Sequence, residues 1–209
     1  RSSDLGYLET LRMKSEVLEP QEQRRYLDIA LEQSRKVGRL AQEMFELARL
    51  EYGVVKPEME QFFLTDLLQD VFQKFELAVE AKHQCLVADI APGLPPITAD
   101  LAMMERVLMN LIDNAVRAAP EGGEITVELQ SHAQGGIEVT VRDTGPGISA
   151  ALQEHLFERP AFTGYAAAQG ARSGGFGLMI VHRILQLHES TIRLMSRPGA
   201  GAVFRFVLR

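Results

Sequence analysis

The first fifty-five residues carry a helical pattern that differs from the rest of the chain. From Tyr26 onward, apolar residues recur at alternating spacings of four and three, as on the face of a helix that packs against another helix. That face consists of Tyr26, Ala30, Gln33, Val37, Leu40, Met44 and Leu47, of which only Gln33 is polar. A shorter apolar pattern runs from Leu5 to Leu18, and Pro20 separates the two. Residues 1–55 are therefore predicted to form an antiparallel helical hairpin.

This hairpin cannot bury the apolar faces of both its helices by itself. A second copy of the chain would complete a helical bundle, and this interpretation predicts a homodimer through the hairpin. The alternative is that the hairpin folds back on the domain that follows it, so that its apolar face is covered within one chain.

Residues 56–209 show short alternating segments mixed with amphipathic helical segments. The helices are predicted at 65–79, 99–119, 149–157 and 177–188, and the strands at 62–64, 84–90, 125–129, 137–142, 192–196 and 202–208. Helices and mostly antiparallel strands in this order predict an α+β fold, a two-layer α/β sandwich with the helices on one face of a single sheet.

Composition and charge limit the classes of partner. The chain has 209 residues, a net charge of -6 and a pI near 5.4, so it has no overall positive charge with which to bind a nucleic acid. No apolar run approaches the roughly 20 residues that a membrane helix needs, so we expect no membrane contact by this fragment. The single cysteine, Cys85, excludes an internal disulfide.

A polar stripe interrupts the predicted helix at 99–119. Helical spacing places Asn110, Asn114 and Arg117 on one side, while the apolar residues between them point toward the core. An amide oxygen is a suitable ligand for a magnesium ion that keeps most of its waters, and a guanidinium group can contact phosphate oxygens. The alternative is an ordinary solvated helix face.

Two glycine-rich segments follow. Asp143 ends a predicted strand and could accept a hydrogen bond from an exocyclic amine, while Gly145 and Gly147 allow the backbone to approach a flat ring. Gly175 and Gly177 come directly before a helix, where free N–H groups and the helix dipole favour phosphate. Taken singly, each segment is also compatible with a simple turn.

Together these segments resemble a known family. They are similar, in the same order, to the N, G1, F and G2 boxes of sensor histidine kinases, within the ATPase superfamily that includes DNA gyrase, the ninety-kilodalton heat-shock chaperone and MutL. The resemblance implies a Bergerat-type ATP-binding fold at 56–209 and a dimerisation hairpin at 1–55. The matching segments are Asn110-Leu-Ile-Asp-Asn114-Ala, Asp143-Thr-Gly-Pro-Gly147-Ile, Leu156-Phe157-Glu-Arg-Pro-Ala-Phe162 and Gly175-Phe-Gly177-Leu178.

The resemblance also implies a role for each matching residue, with ATP and Mg²⁺ as cofactors. Asn114 would ligate the magnesium ion, with Asn110 beside it, and Arg117 would contact phosphate. Asp143 would bind the adenine amino group. Gly145 and Gly147 would shape the adenine pocket. Gly175, Gly177 and Leu178 would belong to the G2 box, which lines the phosphates. Arg159 and Arg172, from the lid between the F and G2 boxes, are candidate phosphate contacts.

The chain departs from the family pattern at its amino end. Nothing matches the H box, whose histidine accepts the γ-phosphate, and all five histidines fall in the ATP-binding part. The F box also departs from the family pattern at Pro160-Ala161. We expect no autophosphorylation of this fragment.

The resemblance implies the cytoplasmic catalytic portion of a two-component sensor histidine kinase that is anchored in the bacterial inner membrane. It would donate the γ-phosphate of Mg²⁺-ATP to a histidine outside these residues, for relay to the receiver domain of a response regulator. The alternative is a nucleotide-binding regulatory module without phosphotransfer. A gyrase-like ATPase is disfavoured, because those enzymes use a Glu as general base where this chain has Asn110.

Overall fold

The computed structural model describes residues 20–154, 156–157 and 176–209. Its contacts divide the chain into two compact units between Glu46 and Leu47, and the larger unit extends to Arg209. The helices are α1 (Pro20–Glu51), α2 (Leu64–Glu80), α3 (Leu101–Ala118), α4 (Ala150–Gln153) and α5 (Gly177–Leu187). The strands are β1 (Glu60–Phe62), β2 (Cys85–Ile90), β3 (Ile97–Ala99), β4 (Glu124–Ser131), β5 (Ile137–Asp143), β6 (Arg193–Ser196) and β7 (Ala202–Leu208).

Helix α1 confirms the long helix predicted from the apolar spacing. Several of its large apolar side chains are exposed, namely Leu27, Leu31, Val37, Met44 and Phe45. The shorter helix predicted before it lies outside the described residues. Among the helices that the structure describes, none combines the length and the apolar character needed to cross a membrane.

The main sheet has five strands in the order β2-β4-β5-β7-β6. The β4–β5, β5–β7 and β6–β7 pairs are antiparallel, whereas β2 pairs with β4 in parallel. Strands β1 and β3 form a separate antiparallel ribbon. The α+β class is confirmed, with one parallel pair in an otherwise antiparallel sheet.

The core lies between this sheet and a layer of helices. In β7, Ala202, Phe204, Phe206 and Leu208 are buried and alternate with partly exposed residues, as expected for a sheet covered on one face. Helix α3 packs against β4 and β5, and α2 and α5 both pack against α3.

Burial of one side of α3 fixes its rotation. Val107, Leu111 and Ile112 are fully buried, and each such side chain contributes about 1.5–3 kcal/mol. The polar stripe at Asn110 and Asn114 is therefore directed away from the centre of the core and can serve a binding role.

The start of α3 differs from the sequence prediction, which began this helix at Ala99. Instead, Ile97–Ala99 pair with β1 as a short strand. Asp100 caps the helix through a hydrogen bond from the Met103 N–H to its Oδ1, 2.9 Å long. The predicted helix at 149–157 also differs: among its described residues, Ala150–Gln153 are helical, whereas residues 154, 156 and 157 form turns.

Candidate functional site

The three chemically suggestive segments meet along helix α3. A Cβ atom on Gly145, in the turn after β5, would lie 2.9 Å from the carbonyl oxygen of Ala118 at the end of α3. A Cβ atom on Gly177, at the start of α5, would lie 2.9 Å from Oδ1 of Asn110. A side chain at Gly145 would press on the backbone of α3, so this approach needs glycine, whereas a side chain at Gly177 would displace the side chain of Asn110.

Asp143 provides a buried acceptor at the end of β5. Its side chain is 6% exposed, and its Oδ1 accepts a hydrogen bond from the Gly145 N–H at 2.8 Å. Burial raises the pKa of Asp143, whereas hydrogen bonds from the backbone of Gly145 and Ala202 act to lower it. The carboxyl is thus held in a fixed orientation, which suits recognition of an amino group.

The loop after Asp143 is fastened to the β6–β7 hairpin. Ser196 Oγ accepts from the Ile148 N–H at 2.8 Å and donates to the Gly201 carbonyl at 2.6 Å. The Gln153 side-chain amide donates to the Ile148 carbonyl at 2.7 Å. These contacts hold the G1 box in place. Neither Ser196 nor Gln153 lies in a recognised motif, so neither could be predicted from the sequence.

Gly201 lies directly behind Asp143. Its φ is +72°, and a Cβ atom there would lie 1.9 Å from the Asp143 carbonyl oxygen. Gly147 is constrained in the same way, because its φ is +73° and a Cβ atom would lie 2.0 Å from the Arg197 carbonyl. The Pro198-Gly-Ala-Gly201 sequence indicated a turn, but not a close approach to the candidate site.

The polar stripe of α3 contains both a free donor and an occupied acceptor. Asn110 Nδ2 is shielded from solvent and has no hydrogen-bond partner within the described residues. Asn114 Oδ1 accepts from Arg117 Nη2 at 2.6 Å, and the same nitrogen is 3.0 Å from Asp113 Oδ2. The predicted stripe therefore exists, and Asn114 and Arg117 are in direct contact.

These groups fit a magnesium nucleotide. Asn114 Oδ1 already contacts a cationic group, and amide oxygens are ligands that Mg²⁺ accepts while keeping several waters. The unpartnered Asn110 donor suits a phosphate oxygen. Across residues 20–154, 156–157 and 176–209, no three His, Cys, Asp or Glu side chains form a metal-binding cluster.

The remaining predicted residues lie at or beyond the edges of the described ranges. Gly177 and Leu178 open α5, and Leu178 packs against the core. Phe157, from the F box, stacks on His182 of α5 with ring centroids 5.6 Å apart. Three predicted phosphate contacts, Gly175, Arg159 and Arg172, lie outside the described residues.

Comparisons with known proteins match this architecture. Two solved structures share the fold. Full-length ShkA in complex with AMPPNP has a TM-score of 0.73 and 22% identity, and the match covers 92% of this chain and 40% of that chain. Histidine kinase ThkA in complex with response regulator protein TrrA has a TM-score of 0.76 and 24% identity, and the match covers 98% of this chain and 56% of that chain. Adaptive-response sensory kinase SasA of Microcystis aeruginosa is 30% identical over 179 residues, which cover 86% of this chain and 46% of that relative.

The chain thus spans less than half the length of this curated relative. A profile of the family described as histidine kinase-, DNA gyrase B-, and HSP90-like ATPase matches residues 99–209, which include α3, the Asp143 turn and the start of α5. The chain therefore belongs to this ATPase family and carries the ATPase domain of a two-component sensor histidine kinase.

Proposed function

We propose that the chain binds Mg²⁺-ATP and donates the γ-phosphate to a histidine outside its 209 residues, for relay to a response regulator. The observation that carries this proposal is that two segments approach α3, the Asp143 turn at Ala118 and the start of α5 at Asn110. One bound nucleotide would contact both segments and the polar side chains of α3.

Each segment has a distinct role in this proposal. Asp143 accepts a hydrogen bond from the adenine amino group, and Gly145 and Gly147 let the backbone approach the ring. Asn110 directs its unpartnered amide donor to phosphate oxygens, and Gly177 starts a helix whose free N–H groups favour the same anion. The site therefore fixes both ends of the nucleotide.

Asn114 would hold the magnesium ion through its amide oxygen. The chemistry that Mg²⁺ would supply there is neutralisation of phosphate charge. Arg117, which contacts the same oxygen, is long enough to reach phosphate oxygens from the last turn of α3. The contribution of the protein is mainly positioning, because phosphoryl transfer requires the attacking imidazole and the leaving oxygen to be aligned.

The partners are proposed from two further observations. The exposed apolar side chains of α1, among them Leu27 and Phe45, support a homodimer through the helical segment. ThkA was solved with a response regulator, which supports a response regulator as the partner of this chain. Placement on the cytoplasmic side of a membrane-anchored protein is supported by the resemblance alone.

Replacing Asn114 by Ala should remove the magnesium dependence of nucleotide binding. We expect the affinity for ATP in the presence of Mg²⁺ to fall about tenfold or more, because a lost ligand weakens metal binding by at least that factor. Calorimetric titrations with ATP over a series of Mg²⁺ concentrations measure the effect. The control is Gln73→Ala, which removes an exposed side-chain amide from α2. If Asn114→Ala retains the wild-type dependence on Mg²⁺, Asn114 is not the ligand.

Phosphotransfer distinguishes the kinase from a binding module. The chain alone, incubated with radiolabelled ATP and Mg²⁺, is expected to acquire no acid-labile phosphate. A supplied histidine kinase hairpin that contains a phosphoacceptor histidine should become labelled, and a His→Ala version of that hairpin should not. ATP binding without transfer to any supplied hairpin would favour the regulatory module, and acid-labile label on the chain itself would contradict the prediction that it lacks an acceptor.

A further inference from the structure

A cavity with both polar and apolar walls lies at the end of the sheet away from Asp143. Its volume is about 920 Å³, and its walls come from the β4–β5 turn, the end of β7 and the turn that joins α5 to β6. Glu138 of the cavity wall and Asp143 are both on β5, five positions apart, which is about 17 Å along a strand. The cavity is therefore separate from the proposed nucleotide site.

Two arginines lie opposite each other in this wall. Arg193 of β6 and Arg205 of β7 are directly paired in the antiparallel register, and both line the cavity. Side chains at such positions are neighbours on one face of the sheet, and like charges placed there destabilise it. Arg205 has a partial counter-charge in Glu138, but Arg193 has no ion pair within the part of the chain that the structure describes.

Arg205 also carries a donor that is not used. Its Nε is shielded from solvent and makes no hydrogen bond to any described residue. The Glu138 Oε1 is 3.6 Å away, which is too long for a hydrogen bond. A shielded donor without an acceptor costs stability, and an acceptor from a ligand would recover it.

The charge of the wall contrasts with that of the whole protein. Three arginines and two glutamates line the cavity, although the chain has a net charge of -6. The charges of these residues sum to +1, opposite in sign to the charge of the whole chain, and the two arginines on β6 and β7 concentrate positive charge at one place. The charged lining residues are Arg193, Arg205, Arg209, Glu138 and Glu189.

We propose that this cavity binds a small molecule bearing carboxylate or phosphate oxygens, held by the guanidinium groups of Arg193 and Arg205. Guanidinium groups bind such oxyanions with two parallel hydrogen bonds, and the volume is in the range of small-molecule pockets. An anion between the two arginines relieves their repulsion and supplies an acceptor for the unused donor. The site thus has a chemical specificity of its own.

The test is a calorimetric titration of the 209-residue chain with two probes, citrate and pyrophosphate, each with and without saturating AMPPNP. Wild-type protein is expected to bind at least one probe whether or not AMPPNP is present. Binding of citrate alone assigns a carboxylate ligand, and binding of pyrophosphate alone assigns a phosphate ligand. Arg193→Gln and Arg205→Gln are each expected to weaken binding about tenfold or more.

Arg142→Gln is the matched control. Arg142 is on the same face of β5 as Glu138, is paired with Glu128 at 3.4 Å and does not line the cavity. A second variant, Arg193→Glu, replaces the like-charge pair by an opposite-charge pair. In the absence of ligand, this variant should unfold at a higher temperature than the wild type. It should bind neither probe. The proposal is overturned if neither probe binds at about 10 mM, if AMPPNP displaces the probe, or if Arg193→Gln binds as wild type does.

Discussion

Asp143→Asn is expected to lower the affinity for ATP by about 10- to 100-fold without destabilising the folded protein at neutral pH. An asparagine oxygen can still accept from the Gly145 N–H, as the Asp143 Oδ1 does at 2.8 Å. Its amide nitrogen, however, presents a donor where the carboxylate presented an acceptor. A site built around one polar group rejects the mismatched partner at a cost of about 1–3 kcal/mol, which corresponds to this loss of affinity. Calorimetric titration with ATP measures it.

The same substitution should change how stability depends on pH. Burial raises the pKa of Asp143, so the folded chain holds this proton to a higher pH than the unfolded chain does. The stability that the protonated Asp143 contributes is therefore lost as the pH rises from the ordinary Asp pKa of about 3.9 through the raised pKa of the folded chain. Asn has no charge to bury, so Asp143→Asn should gain in relative stability as the pH rises from about 4 to 7.

The control for the affinity measurement is Asp89→Asn, which removes an exposed carboxylate from β2 and should not alter the affinity for ATP. Urea unfolding over a series of pH values measures the change in stability of Asp143→Asn. Unchanged ATP affinity in Asp143→Asn would exclude Asp143 from the nucleotide site. If the stability of Asp143→Asn depends on pH as that of the wild type does, burial of the Asp143 carboxylate does not lower the stability of the folded chain.

The elements that could be predicted from sequence are those with a strong local pattern. Helix α3 and strands β4, β5 and β7 bury regularly spaced side chains against one core, so the periodicity in the sequence matches the burial in the structure. The parallel pairing of β2 with β4 has no such signal, because the partner of a strand is chosen by tertiary packing. The three-residue strand β3 is too short to show any period.

The site was predictable to a similar extent. The contact between Asn114 and Arg117 follows from their spacing of three on a helix, and the hydrogen bond between them confirms it. The approach of Gly177 to Asn110 joins segments far apart in the chain, so only the family resemblance indicated it. Ser196 and Gly201 were missed because their importance depends on where the β6–β7 hairpin packs.

That hairpin forms the back wall of the Asp143 turn. The Gly199 N–H donates to the Pro146 carbonyl at 2.7 Å, and Ser196 joins Ile148 to Gly201. The G1 box therefore depends on residues more than forty positions later in the chain for its shape. Damage to the hairpin should reach the nucleotide site even though no hairpin side chain is assigned to ATP.

Gly201→Ala should be among the most harmful single-methyl changes in the protein. A Cβ atom at this position would lie 1.9 Å from the Asp143 carbonyl oxygen, and the φ of +72° adds strain for any L residue. The overlap and the strain together should lower the free energy of unfolding by about 3 kcal/mol or more. Because the overlap displaces Asp143 itself, ATP affinity should fall in the fraction that remains folded.

Gly199→Ala separates these two causes. Gly199 lies in the same hairpin with a φ of +80°, but an added Cβ atom meets no described atom within 4 Å. Strain alone should then cost about 1–2 kcal/mol and leave ATP binding unchanged. Urea unfolding and ATP titration of the two variants side by side give the comparison. If Gly201→Ala and Gly199→Ala lose the same stability, the β6–β7 hairpin moves to accommodate the methyl group at Gly201. Asp143 would then be held in place by its own strand, β5, and not by the hairpin.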